Sequence, residues 1–485
     1  MNRKENPARL EQFTIQPIPQ SERHGSARDL FTIWFGSNIM TLTIATGALA
    51  VTVFKQPFWF GVLGIVIGNL VGAIFMALHS AQGPQLGVPQ MVQTRGQFGS
   101  YGSLLVVAVV MVMYEGFFAS NLVLGSQALR SLTPVIAVNQ GIIVVAIFSL
   151  VAAVYGYNLI HAYARLMTWC SGAVLLLAFF WIIFVHGLPA DFLTRNAPNL
   201  AGFLGTISVA ALWQIAYAPY VSDYSRYLPV ATNSQVVFWA SYWGCSLGSI
   251  FPMVLGAVIG LSVADGNVVN GLTGLTHGIS GLVVIVLSLG IAAANAMNLY
   301  CGALSAITVL QTFFPSWSGK ARARGLIAVA LCGASVAMAL FGQRNFLVEY
   351  TNFIQSLLFV LVPWTAVNLV DYYLVCNGQY DIASFFRRDG GIYGRFNGIA
   401  IISYLFGITV QVPFIATDLY TGSMAKLLGG ADISWVVGLV LTSAVYYLGC
   451  KRFPARSQTL EPGGRAVIHI EQAPGRTEIP SNGNG

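Results

Sequence analysis

Glu115 is the only acidic residue set deep inside an apolar segment of the chain, in the run from Val106 through Tyr114 to Asn121. A charge at the centre of a bilayer costs at least about 2.5 to 3.5 kcal/mol on insertion scales, so such a residue faces protein or a water-filled path and commonly carries a proton or an ion. The alternative chemistry is a neutral carboxylic acid hydrogen-bonded to a neighbouring helix. A second set consists of amides in apolar segments: Asn38, Asn121, Gln214, Asn295 and Asn298. Amides offer donors and acceptors without the desolvation cost of a charge, which suits the mixed edge of a neutral, flat molecule. They also tie helices together, at about 0.6 kcal/mol per bond in membranes. Phe117 stands four residues before Asn121, so ring and amide share one helix face with Tyr114 and Gly125. Trp213 precedes Gln214. Such rings either stack on a flat solute or simply pack.

Glu115 itself is six positions before Asn121, which at about 100° per residue places it some 120° around the helix from the amide. The carboxyl therefore faces a neighbouring helix, beside Phe118, Ala119 and Leu122, and its protonation would act on helix packing and not on a solute directly. Other acids lie nearer segment ends. Asp223 and Arg226 have the spacing of a helix-end salt bridge, serving either a gate or simple stabilisation. Asp371 resembles them, Glu349 is placed near water, and His79 reads as a loop anchor or, less simply, a proton relay.

Several chemistries are excluded. The five lysines lie in tails or loops, which removes a buried Schiff-base lysine, and no segment carries the arginine row of a voltage sensor. There is no HExxH and no pair of intramembrane aspartates. Gly278-Ile279-Ser280-Gly281 has the form of a serine protease motif, but the only later histidine is His469, in the tail, so the nucleophile lacks a base. An enzyme is not expected. The six cysteines show no CxxC spacing and read as free thiols, and neither a metal site nor a cofactor is expected. No Arg or Lys lies deep in an apolar stretch, which argues against an anionic cargo.

The elements that position these groups follow from composition. With 56% hydrophobic and 8% charged residues, the chain is a polytopic membrane protein of the all-α class. Twelve apolar stretches are predicted as transmembrane helices, at about 31–53, 58–80, 103–128, 141–158, 162–186, 203–221, 234–263, 281–311, 323–342, 346–375, 396–417 and 433–450. An even number puts both termini on one side. With that side cytoplasmic, 19 of the 24 basic residues are inside and only Lys55, Arg130, Arg195, Arg344 and Lys426 are outside. The net charge of +7 thus reports topology, and no nucleic-acid partner is implied. The first thirty residues lack a cleavable signal, and the tail from Ser457 reads as disordered.

Two stretches look interrupted. Gly36-Ser37-Asn38 permits unwinding in the first, and in the sixth Pro219 follows Gln214 by a little over one turn. Breaks in helices one and six are the arrangement of an inverted five-plus-five repeat with its binding site between the broken helices. This divides the chain into a cytoplasmic tail (1–30), a first repeat (31–186), a second repeat (201–375), two further helices (396–450) and a second cytoplasmic tail (451–485).

At this point the chain resembles a family. Arg28-Asp29-Leu30-Phe31-Thr32-Ile33-Trp34-Phe35-Gly36-Ser37-Asn38, the segment Gly83 to Gly99 with its Gly-Pro-Gln-Leu-Gly start, Ser222-Asp223-Tyr224-Ser225-Arg226-Tyr227 and Asp371-Tyr372-Tyr373 look like the corresponding stretches of the nucleobase:cation symporters, above all the purine and cytosine permease branch. The resemblance implies a LeuT-type core of ten helices plus two accessory ones, working by alternating access on a small neutral nucleobase in the cytoplasmic membrane. It also implies substrate contacts from Phe117 (where the family usually has Trp), Asn121, Trp213, Gln214, Asn295 and especially Asn298, with Asn38 at the break of helix one. No obligate protein partner is implied.

Helix eight departs from the family's pattern. Sodium-coupled members are similar to one another in offering Ser or Thr hydroxyls there, because sodium takes oxygen ligands. This chain has Gly290-Ile291-Ala292-Ala293-Ala294. The expectation is a proton-coupled importer of cytosine or a purine, with Glu115 as the coupling acid. A permease for another small heterocycle (hydroxymethylpyrimidine, hydantoin, allantoin or uracil), sodium coupling, and a non-transporting membrane sensor stay open as alternatives.

Overall fold

The computed structural model describes residues 14–453 apart from 156, 264–266, 315 and 318–320. The expected disordered tail from Ser457 lies outside the described residues. Regular structure among the described residues is helical, with one isolated bridge between Ala416 and Thr421. The main helices are α1 (Ala27–Asn38), α2 (Thr41–Thr52), α3 (Phe58–Ser80), α4 (Ser103–Leu132), α5 (Val138–Tyr155), α6 (Tyr157–Phe180), α7 (Leu200–Ile215), α8 (Ala218–Ser225), α9 (Ser234–Ser262), α10 (Ser280–Phe313), α11 (Ala321–Gly342), α12 (Phe346–Val370), α13 (Gly398–Gln411) and α14 (Ser434–Arg452).

Every predicted stretch overlaps a helix. Among the described residues, eight helical runs are long and apolar enough to cross a bilayer, and the bent pair α1–α2 makes a ninth. One of the eight, the 54-residue run Arg322–Val375, contains two predicted stretches, while Val138–Val151 and Gly398–Phe414 are shorter apolar helices overlapping two others.

α1 and α2 meet at an angle of 63°. The break is not at Gly36-Ser37-Asn38, where the composition pointed, because those residues stay helical and the chain opens at Ile39 and Met40. Asn38 explains the displacement. Its Nδ2 folds back onto the Trp34 carbonyl (2.7 Å) and completes the last turn. Its own carbonyl, orphaned by the helix end, accepts from the Met40 N–H (3.0 Å) and the Thr43 hydroxyl (2.5 Å). The second interruption falls at Ala216 and Tyr217, between α7 and α8, with Pro219 in the first turn of α8. Pro219 has no N–H for the carbonyl of Ile215, so the ladder stops there.

Close helix packing surrounds both breaks. α3 lies on α7 and α9, and α9 lies on α1 and α2. α10 packs on α4, α5 and α6, while α12, α13 and α14 form a neighbouring group. Gly72 shows how near the backbones come, since a Cβ there would stand 2.4 Å from the Ala211 carbonyl oxygen of α7. Small residues serve this purpose where lipid gives helices no hydrophobic reason to associate.

Candidate functional site

The two breaks, α4 and α10 enclose a cavity of about 390 Å³. α4 contributes Phe117 and Asn121, α7 and α8 contribute Trp213, Tyr217 and Tyr220, and α10 contributes Met297 and Asn298. Ser37, Met40 and Leu42 close it from the break between α1 and α2.

Its walls are aromatic. Phe117 meets Trp213 edge-on (6.0 Å between ring centroids, 84° between planes) and meets Phe353 of α12 in the same manner at 5.3 Å. Trp213 continues to Tyr217 at 6.1 Å, and Tyr217 to Tyr220 at 5.6 Å. The indole N–H of Trp213 donates to Asn38 Oδ1 (2.7 Å), which also accepts from the Ser249 hydroxyl (2.9 Å). The Trp213 ring is thus held in place by a directional bond and not by packing alone.

Two amides give the cavity its polarity. Asn121 is 1% exposed, yet neither its Oδ1 nor its Nδ2 has a hydrogen-bond partner among the described residues. A buried group left so costs about 1 to 3 kcal/mol, and Asn121 has two on one amide facing an open space. Asn298 is oriented by Tyr220, whose hydroxyl donates to its Oδ1 (2.5 Å), leaving the Nδ2 end for other partners.

Four of the seven predicted substrate residues therefore share the cavity: Phe117, Asn121, Trp213 and Asn298. Asn38, Gln214 and Asn295 do not line it. Asn38 spends its amide on Trp34, Trp213 and Ser249, with Cys245 Sγ at 3.4 Å. Gln214 follows Trp213 and so points about 100° away, toward α3 and α9, where its Nε2 donates to Asn69 (2.7 Å) and Ser249 (3.1 Å). Asn295 reaches Ser149 of α5 (3.4 Å). Tyr217, Tyr220 and Met297 were missed. Tyr220 is on α8, beyond the break that follows Trp213, so helical periodicity did not place the two together.

Glu115 lies outside the cavity, as its angular position requires. Its carboxyl Oε2 contacts the hydroxyl of Ser335 on α11, and that hydroxyl also reaches the Glu115 carbonyl (3.2 Å). No Lys, Arg or His forms an ion pair with it among the described residues. At the end of α8, Asp223 accepts from the Gln90 N–H (2.8 Å), while Arg226 donates to the Thr14 carbonyl (2.8 Å) and the Tyr300 hydroxyl (3.3 Å). Both join α8 to segments around it. Asp371 is similarly tied down by Tyr380 (2.5 Å) and Tyr446 (2.7 Å). His79 is fully buried against Trp364, with its Nδ1 on the Phe75 carbonyl (2.8 Å), and Glu349 is exposed.

Comparison with known proteins follows the same lines. Residues 17–438 match the family described as permease for cytosine/purines, uracil, thiamine, allantoin. The chain is 41% identical over 443 residues to a putative purine-cytosine permease of Bacillus subtilis, YxlA, with 91% of this chain and 96% of that one covered. It is 23% identical over 464 residues to the purine-cytosine permease fcyB of Emericella nidulans, covering 90% and 87%. Among solved structures it is similar to Mhp1, a nucleobase-cation-symport-1 family transporter in a closed conformation with bromovinylhydantoin bound, at a TM-score of 0.73 and 19% identity, covering 94% of this chain and 98% of that one. The likeness to Mhp1 establishes the fold, and the match along nearly the whole chain establishes the lineage: this protein belongs to the cytosine/purine permease family.

Proposed function

We infer that the protein is a secondary-active symporter that imports a neutral nucleobase, cytosine or a purine, by alternating access. The observation that carries this reading is Asn121, a buried amide with both ends unpartnered beside the aromatic rings of the cavity. A flat base lying against the Phe117 and Trp213 rings satisfies an acceptor and a donor of Asn121 at once, and its own polar edge is satisfied in return. The substrates in the names of the relatives support it. The basic-residue distribution supports twelve crossings with both termini cytoplasmic.

Proton coupling through Glu115 belongs to the same proposal. A serine hydroxyl carries one hydrogen. With the carboxyl protonated, Ser335 accepts from Glu115 and donates to the Glu115 carbonyl; with it ionised, the hydroxyl turns to the carboxylate. The contact between α4 and α11 thus changes with proton occupancy. The other titratable groups in electrostatic reach are Cys332 of α11 and Tyr220 of α8. Against sodium stands Gly290, whose absent Cβ would lie 2.6 Å from the Ile39 carbonyl oxygen. α10 presses bare backbone onto the break where a hydroxyl ligand would be wanted.

Uptake of labelled cytosine, adenine, hypoxanthine, uracil and allantoin into vesicles, with proton and sodium gradients imposed separately, tests each part. Uptake of cytosine or a purine driven by the proton gradient is expected. Uptake of only another heterocycle changes the substrate assignment, a strict sodium requirement overturns the coupling, and binding without uptake makes the protein a sensor.

A further inference from the structure

A second cavity, of about 230 Å³, lies well away from the substrate site and is lined by Arg95, Ser100, Gln311, Thr312, Phe385, Phe386, Arg387 and Arg388. Arg95 stands on the helix Gln90–Phe98, between the α3 and α4 spans, and is 3% exposed. Its terminal nitrogens donate to the carbonyls of Phe385 (2.8 Å) and Thr308 (2.7 Å) and to Thr312 (3.0 Å) and Gln311 (3.2 Å). All four acceptors are neutral. Among the described residues its Nε has no partner, nor has the buried hydroxyl of Ser100. Burial alone brings the Arg95 guanidinium down to about 10, since no carboxylate stands near enough to hold it up. Arg388 is exposed and makes no ion pair among the described residues; Arg387 is paired with Asp389 at 2.8 Å. A buried cation with neutral partners, an unused N–H and a second arginine at the rim are a combination suited to an anion.

The surroundings distinguish among anions. Ser100 is followed by Tyr101, and Thr312 by Phe313 and Phe314, which are 53% and 61% exposed. Tyr101 contacts both Phe313 (6.0 Å) and Phe396 (6.0 Å), the latter 65% exposed, and the Arg395 guanidinium lies over the Tyr101 ring at 5.7 Å. Exposed rings beside arginines are the composition of a membrane boundary, where apolar faces meet acyl chains and cations meet headgroups. We propose that this cavity binds the phosphate of an anionic phospholipid on the cytoplasmic leaflet, with the acyl chains lying along Phe313, Phe314 and Phe396. The leaflet rests on the orientation inferred above; the phosphate chemistry does not. The site joins the segment after α3, the end of α10 and the segment before α13, so the lipid bridges elements that belong to separate helices.

The test uses the purified full-length chain in a neutral detergent, with phosphatidylglycerol, phosphatidylcholine and inorganic phosphate added in separate arms. Binding is read by native mass spectrometry and by the shift in melting temperature. Phosphatidylglycerol is expected to bind and stabilise more than phosphatidylcholine, and its affinity to fall roughly fivefold for each charge removed in Arg388→Ala and in Arg387→Ala/Arg388→Ala. Both residues are exposed, so the variants keep their fold. Equal binding of the two lipids, or an undiminished preference in the double variant, overturns the site. Stabilisation by inorganic phosphate as large as that by phosphatidylglycerol, lost in the same variants, overturns the lipid assignment and names a soluble phosphate as the ligand. None of these readouts depends on transport, so failure here is separate from failure of the symporter reading.

Discussion

Asn121 and Asn38 are the same residue type, equally buried, with opposite hydrogen-bond accounts. Asn121 has spent nothing on the protein, and Asn38 has spent everything. Asn121→Ala is therefore expected to raise KM for the substrate by about tenfold, from the loss of one or two hydrogen bonds, while the melting temperature holds or rises because an unsatisfied amide is gone. Asn38→Ala is expected to lower the melting temperature as well as the affinity, since it frees the Trp213 indole N–H and the end of α1. Thermal melts beside uptake kinetics separate the two, and an Asn121 variant that melts early but transports normally refutes the assignment. For Glu115, Glu115→Gln keeps a hydrogen bond to Ser335 but cannot release a proton. Substrate binding is expected to persist while accumulation loses its dependence on the pH gradient; unchanged dependence makes the carboxyl structural. Of the residues marked in the sequence, Phe117, Asn121, Trp213 and Asn298 line one cavity. The sequence did not separate them from Gln214 and Asn295, because a 100° step along a helix changes the neighbour without changing the composition.

Two interrupted elements set this geometry. Their existence was legible in Gly36-Ser37-Asn38 and in Pro219, but the first break fell one residue later than the composition indicated. A cluster of flexible residues shows where a helix is weak. Where it opens depends on which orphan carbonyl finds a partner, and the partner of Asn38 is the hydroxyl of Thr43, across the break. Thr43→Val removes that bond at a cost of about 1 kcal/mol, visible as a lower melting temperature. The break also needs room. Gly290→Val would drive side-chain atoms into the Ile39 carbonyl, where a Cβ would already stand 2.6 Å away, so an overpacking loss of about 1 to 3 kcal/mol is expected together with impaired uptake. A Gly290→Val protein as stable and active as the parent contradicts the close contact between α10 and the break.

The whole molecule is organised by lipid on its outside and a small polar volume within. Orientation is an expected outcome at this scale: a fluorescent protein fused to either terminus should fluoresce in cells, and a phosphatase reporting on the opposite compartment should stay inactive there. An active phosphatase at one terminus would refute the even count. The helical class, the rough place of the apolar stretches and the two weak points were determined by the sequence alone, because bilayer thickness and backbone satisfaction leave few choices to an apolar chain. Which polar side chain faces the cavity and which binds another helix was decided only by the tertiary structure. That choice depends on the rotation of each helix against its neighbours, and rotation is set by contacts hundreds of residues apart, such as Asn38 with Trp213 and Glu115 with Ser335.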